Sequence, residues 1–539
     1  MMTSTSSKHQ SAKPQRAAIA AAATVAAAAL LAGCTLAPTY ERPAAPVAAQ
    51  WPAAQPAAQA ASAASAAAAP QGAAGIAAAD MPWQDFVQDA RLREIVELTL
   101  QNNRDLRIAV KNIDLAQAQY RINRADLAPT LGANASGSRT SPNPAAAAGG
   151  PSVATSYAAG FGINSWEIDL FGRIRSMSNS ASAKYLATEE ARKAAQISLI
   201  GAVSSTWLSL QANTELLALA QRTQHTHQQT LALIKQRQEV GVASALDLQQ
   251  AESLAASAKV AASQQQRLRA QDINALTLLV GQTVPEQLLP TAANPNAASA
   301  ASTATASAAT ATSTTDAAAP DIFSRFAPVA VGLPSDVLLR RPDIRAAEQQ
   351  LIAANANIGA ARAAFFPRIA LTGMYGRARS ELDDLFGGAA VRTWSFLPQI
   401  NLPIFDWGRN MANLDASHAG RDIAVAQYEK AIQSAFREVA DALAGKATLS
   451  EQIAAQQAQT RAEQQRYQLA DLRYRDGIDS HLYLLDAQRA LFGSEQALIQ
   501  TRLMERLNQV ELYKTLGGGW TQPAPAPAAM DNATTAAAQ

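Results

Sequence analysis

From Arg173 to Gly281 the chain runs without a proline, and its only glycines in that stretch are Gly201, Gly241 and Gly281. Proline ends helices and glycine weakens them. The spacing therefore predicts one helix from Arg173 to about Glu239, a tight break at Gly241 and a second helix to Gly281. At about 1.5 Å per residue the longer arm reaches about 100 Å, beyond the helices of ordinary globular domains. Its apolar positions Ile200, Val203, Trp207, Leu210 and Leu217, with polar Thr214 between, alternate in steps of three and four. That is the spacing of a coiled-coil seam. The same design returns from Arg409 to Gly517, broken at Gly477, with Val425, Tyr428, Ile432, Phe436, Val439 and Leu443 as its seam.

The two hairpins belong to an internal repeat. Asp105-Leu-Arg-Ile-Ala answers Asp343-Ile-Arg-Ala-Ala, and Pro129 to Pro367 keeps the same separation. Gly172-Arg173 to Gly408-Arg409, Gly241 to Gly477 and Gly281 to Gly517 share a separation two residues shorter. The unit is helix, strand, loop, strand, long helix, turn, helix. The helix before the first strand is expected from about Arg91 to Ala125, with Pro129 beyond its end.

Strands are expected at 129–139, 156–169, 367–379 and 392–405. In the second, Tyr157, Phe161 and Ile163 face one way, and Gly160, Gly162 and Asn164 the other. In the fourth, Trp394, Phe396, Ile400, Leu402 and Ile404 alternate with Thr393, Ser395, Gln399 and Asn401. An apolar face of this kind is either the core of a soluble sandwich or the lipid face of a membrane barrel. Four strands cannot close a transmembrane barrel, and lipid forbids an open edge. In a membrane, several chains must therefore share one barrel, with the long helices extending it as a tube.

Targeting is written at the start. Lys8, Lys13 and Arg16 precede an apolar run from Ala17 to Leu31, as in a secretory signal. It ends in Leu31-Ala32-Gly33-Cys34, which reads as a bacterial lipobox; the plainer alternative is a free thiol, since Cys34 is the only cysteine. An acylated Cys34 would anchor the mature chain, and no Asp follows it to favour retention at the inner membrane. Net charge is +2 with those three basic residues included, so the rest is near neutral and offers no basic field for nucleic acid. An Ala/Pro/Gln/Ser tract to about Asp80 reads as a linker, and 291–319 is almost wholly Ala, Ser and Thr. The expected order is signal peptide 1–33, lipidated linker 34–80, first repeat 81–290, low-complexity insert or equatorial connection 291–330, second repeat 331–518 and disordered tail 519–539.

Five motifs together resemble the TolC-family outer-membrane efflux proteins, in the lipoprotein branch typified by OprM and NodT. They are Cys34-Thr-Leu-Ala-Pro-Thr-Tyr-Glu-Arg-Pro43, Gly332-Leu-Pro-Ser-Asp-Val-Leu-Leu-Arg-Arg-Pro-Asp343, Ala364-Phe-Phe-Pro-Arg368, Pro403-Ile-Phe-Asp-Trp-Gly-Arg409, and Tyr474-Arg-Asp-Gly477 with Leu485-Asp-Ala-Gln488. The resemblance implies a mainly α fold with a small membrane β part: a homotrimer whose four strands per chain make a twelve-stranded barrel above a periplasmic α-barrel. It also implies an outer-membrane location and docking to a periplasmic adaptor and an inner-membrane pump of the resistance-nodulation-division class. The competing reading is a lipid-anchored periplasmic coiled-coil scaffold. The insert at 291–319 departs from the family where its equatorial region falls.

Two groups of site residues follow. The helix breaks carry Gly241 with Ser244, and Gly477 with Ser480. They are either plain helix turns or the tip that meets the adaptor. Ser244 and Asp247 have the spacing of a capping box, whereas Tyr483 stands where the second turn needs an acid. By resemblance to the family's closing constriction, Asp247, Tyr474, Asp479, Tyr483 and Asp486 narrow the tube, held by Arg473, Arg475 or Tyr474. A solvated acidic face is the plainer alternative. Asp479 and Asp486 are seven apart and are expected on one helical face. An enzyme is not expected. His225 and His227 are two apart on a helix and face different ways, His418 and His481 are isolated, and no phosphate loop, zinc cluster or nucleophile–base motif is present. No cofactor is expected beyond the covalent lipid on Cys34.

Overall fold

Helix boundaries in the computed structural model follow from local chemistry. It describes residues 36–48, 50, 51, 78–141, 153–291, 323–330, 339–383, 385 and 391–520. The signal segment, Cys34, most of the linker, most of the 291–330 insert and nearly all of the tail lie outside the described residues. The helices are α1 (Trp83–Phe86), α2 (Ala90–Asn102), α3 (Arg104–Ala125), α4 (Arg173–Glu239), α5 (Ala245–Val280), α6 (Pro342–Ala363), α7 (Arg409–Arg475) and α8 (His481–Thr515). The strands are β1 (Leu131–Thr140), β2 (Ala154–Ile168), β3 (Arg368–Arg379) and β4 (Val391–Asn401).

α4 and α7 have 67 residues each. An aspartate opens both. The Asp169 carboxylate accepts from the backbone N–H of Ile174 and Arg175, and that of Asp406 from Gly408 and Asn410. These bonds satisfy donors that the first helical turn leaves free. Gly172 and Gly408, at φ 74° and 82°, turn the chain into the helix. At the far ends Gly241 and Gly477 take φ 77° and 71°. The next N–H reaches back to Arg237 and Arg473 respectively, which closes a left-handed cap on each helix.

The single helix expected from Arg91 to Ala125 is two helices. Asn103 separates them, and its side chain explains the break. Its amide donates to the Leu279 carbonyl at 2.8 Å while its carbonyl accepts from the Leu106 N–H at 2.8 Å. It ends α2 and caps α3, at a buried position.

The strands form one antiparallel sheet in the order β1-β2-β3-β4, so β1 and β4 are its edges. β2 and β3, from different repeats, pair in the middle. The fourth strand stops at Asn401, not 405: Pro403 has no N–H for a ladder. Pro398 lies inside β4, opposite Leu371 of β3. A bulge interrupts β2 between Ile163 and Trp166, with Ser165 at φ 49° donating its N–H to the Thr372 hydroxyl. Gly160 and Gly376 face each other, and a Cβ on Gly376 would lie 2.3 Å from the Ala159 carbonyl oxygen. Only glycine lets these two backbones approach so closely.

Two compact units cut across the sequence repeats. One holds residues 1–44, 112–189 and 346–429, and so all four strands. In it the segment Leu36–Arg42 lies along α6: Arg42 forms a two-pronged ion pair with Glu348 at 2.6 and 3.0 Å, Tyr40 donates to Glu348, and Asn355 donates to the Pro38 carbonyl. The other unit holds residues 45–111, 190–345 and 430–539. Its core gathers Phe86, Leu92, Ile95, Trp207, Leu210, Leu276 and Tyr513. The last residues of the 291–330 connection are stitched into it by a Val87–Phe326 bridge and by Ser324, which accepts from the Trp207 indole at 2.9 Å.

Candidate functional site

The two turns that end α4 and α7 carry the expected site residues. In the first, Ser244 and Asp247 form a full capping box, each side chain accepting from the other's backbone N–H at 3.1 Å. The Ser244 hydroxyl also donates to the Asp247 carboxylate at 2.7 Å and holds its pKa below the ordinary 3.8. Asp247 thus serves its own helix start, and among the described residues its hydrogen bonds go to Ser244 and none to the second turn. In the second turn Ser480 caps α8 by backbone geometry alone, with no side-chain bond.

Asp479 lies in the turn before Ser480, not on the helix with Asp486, because α8 begins only at His481. It forms a two-pronged pair with Arg473 at 2.6 and 3.0 Å. That hydrogen bond, opposed by slight desolvation, holds the Asp479 pKa below its ordinary 3.8. Asp486 pairs with Arg466 of α7, and Arg475 is taken by Asp471 within its own helix at 2.8 Å. Arg466 and Arg473 are seven apart, as are Asp479 and Asp486. The chain reverses between them, so one heptad down α7 meets one heptad along the returning segment, and the pairs stack as two rungs. Arg466 was hidden from sequence reasoning because its partner lies across the turn; its heptad spacing from Arg473 was the available signal.

Tyr474 joins the two turns. Arg237, at the end of α4, donates to the Tyr474 hydroxyl at 3.1 Å and places its guanidinium 5.9 Å from the ring centroid. On the other side Tyr474 meets the His481 ring, with centroids 5.1 Å apart. Both nitrogens of His481 are buried without a hydrogen-bond partner. Burial lowers its pKa from 6.5, and the Asp247 charge opposes that only in part. Neither Arg237 nor His481 stands among the expected site residues. Tyr483 is largely exposed, with its backbone N–H on Ser480. Among the described residues no group of three or more His, Cys, Asp and Glu is placed to hold a metal.

The sheet is the second functional surface. The register puts Phe161, Tyr375 and Trp394 side by side on one face, and they are 63%, 62% and 77% exposed. Phe396 and Ile400 lie on the same face of β4 and are also exposed. The other face carries Asn134, Gly160, Gly376 and Thr393 in one row. Among the described residues no helix is long and apolar enough to cross a membrane.

Two long helical hairpins and a short sheet with one aromatic face are the elements that the comparisons with known proteins must match. The outer membrane efflux protein family model matches residues 95–282 and 333–518, and the chain belongs to that family. It is 45% identical over 489 residues to the toluene efflux pump outer membrane protein TtgC of Pseudomonas putida, across 90% of this chain and 93% of that one. It is 43% identical over 490 residues to the outer membrane protein OprJ of Pseudomonas aeruginosa, across 91% and 94%. Its fold matches the open state of the MtrE outer membrane channel of Neisseria gonorrhoeae with a TM-score of 0.74 and 38% identity, across 90% of this chain and 99% of that one. The protein is an outer-membrane efflux channel.

Proposed function

We propose that three copies of this chain close a twelve-stranded barrel in the outer membrane and carry small molecules passively through a helical tube across the periplasm. The observation that carries the reading is the four-stranded sheet: apolar on one face, small and polar on the other, with β1 and β4 as open edges. In lipid every backbone donor must be satisfied, and four strands cannot curl on themselves. Pairing β4 of one copy with β1 of the next removes both edges. The same assembly sets the 67-residue helices α4 and α7 side by side, each about 100 Å long.

A duct of this kind does no chemistry; its work is to stay shut until engaged. The Arg473–Asp479 and Arg466–Asp486 pairs brace the returning chain, and Arg237–Tyr474 ties one turn to the other. Gly241, Ser244, Gly477 and Ser480 shape the surface offered to a periplasmic adaptor, which in turn couples the duct to an inner-membrane pump of the resistance-nodulation-division class. An acylated Cys34 anchors the N-terminus, each buried methylene contributing about 0.8 kcal/mol. The toluene pump of the relative TtgC supports small toxic compounds as cargo.

Purified mature protein should run as a heat-modifiable trimer and conduct ions across a planar bilayer. A strict monomer that passes no current overturns the reading. Replacing Cys34 by Ser should leave the protein in the membrane, whereas release into aqueous buffer supports a periplasmic scaffold. Asp479→Ala and Asp486→Ala should each raise basal conductance; unchanged gating in both removes the brace.

A further inference from the structure

Beyond the aromatic row the same face of the sheet turns basic. Arg377 and Arg392 are direct cross-strand partners on β3 and β4, one step past Tyr375 and Trp394 on the same face. Both guanidiniums are exposed, and neither has a carboxylate partner among the described residues. Like charges set directly opposite each other destabilise a strand pair, so this pairing is unfavourable unless an anion lies between them. The two arginines border a cavity of about 650 Å³ that Phe161 and Tyr375 also line, with small Ala135 and Ala159 on its floor. It is therefore a pocket with two planar cationic forks at one end and aromatic rings at the other. It sits at the loop end of the sheet, opposite the end where α3, α4, α6 and α7 join.

We propose that Arg377 and Arg392 bind a phosphate of the phosphorylated glycolipid of the outer leaflet, with the sugar and first acyl carbons against Phe161, Tyr375 and Trp394. The proposal rests on the barrel reading above, in which this face meets lipid and the loops face outward. Guanidinium forks match phosphate oxygens in a bidentate way that an ammonium cannot. The aromatic row one step deeper is where rings sit at the boundary of an outer-membrane barrel. A head group held at that depth by its own acyl chains meets both arginines without the entropic loss of capturing a free ion.

The test is native mass spectrometry of the detergent-solubilised assembly with diphosphoryl lipid A, its monophosphoryl form and a phosphate-free form, each with and without excess inorganic phosphate. Wild type should retain the diphosphoryl lipid at least about tenfold better than the phosphate-free one. The Arg377→Gln/Arg392→Gln variant should lose that preference. Arg377→Lys/Arg392→Lys, which keeps the charge, should retain part of it and guards against a folding defect in the glutamine pair. No preference in wild type, or a preference that survives in the glutamine pair, overturns the proposal. Full displacement by inorganic phosphate overturns the lipid assignment in favour of a bare anion site. Heat-modifiable migration and conductance of the same preparations report the barrel itself, so failure of the duct reading is seen separately.

Discussion

Single residues in this chain differ in what they tolerate, and the differences can be measured. Gly241 and Gly281 share a left-handed backbone, at φ 77° and 78°. A Cβ on Gly241 meets nothing within 4 Å, whereas one on Gly281 would lie 2.6 Å from the Asn102 carbonyl oxygen. Gly241→Ala should therefore cost only the backbone strain, about 1 kcal/mol. Gly281→Ala should cost clearly more in the same denaturant titration, because the α2 end must also move. His481 gives the tip a pH response. Its neighbours are Asp247 of α5, Arg237 of α4 and Tyr474 of α7. Burial favours its neutral form, so the packed ring binds a proton less readily than a free one. Above the ordinary pKa of 6.5 both states are neutral and the packing is intact. As pH falls below that value the released state protonates first, and the packed state loses stability. Hydrogen exchange at the second turn should accelerate on acidification below 6.5, and His481→Phe should abolish the acceleration. The Arg473–Asp479 pair responds to acid with the same sign but in a lower window. Its carboxylate is held below 3.8, so its contribution is full above 3.8 and is lost as pH falls from there through the depressed value.

Helices and strands show which local signals were legible. The capping box at Ser244 and its absence at Ser480 were both readable from the third residue onward, Asp247 in one case and Tyr483 in the other. Ser244→Ala should cost about 1 kcal/mol, while Ser480→Ala should be nearly neutral, as compared by thermal unfolding. The break at Asn103 was not legible. The surrounding sequence is periodic and free of Gly and Pro, and the asparagine ends the helix because Leu279, far along the chain, supplies the carbonyl it binds. Strand alternation was legible in Trp394, Phe396 and Ile400, since a period of two needs no knowledge of partners. The close approach of Gly160 and Gly376 was not, because it depends on pairing between strands of different repeats. Gly376→Ala should abolish the heat-modifiable assembly, whereas Gly373→Ala, with no neighbouring atom nearer than 3.7 Å, should preserve it.

At the scale of the whole molecule the repeat in the sequence and the compact units of the structure do not coincide. The repeat is a copying of hairpin and strand pair along the chain, but each unit draws segments from both copies. β2 of the first copy pairs with β3 of the second, so neither half completes its sheet alone. The lengths of the long helices, the left-handed glycines that end them and the amphipathic strands were determined by the sequence itself, because each arises from dihedral preference or periodicity within a few residues. Tertiary structure decided that Asp486 meets Arg466, that Tyr474 stands between Arg237 and His481, and that Arg377 faces Arg392. Those pairings are set by the register in which distant segments pack, and register is fixed by the summed fit of many side chains, none of which reveals its partner on its own.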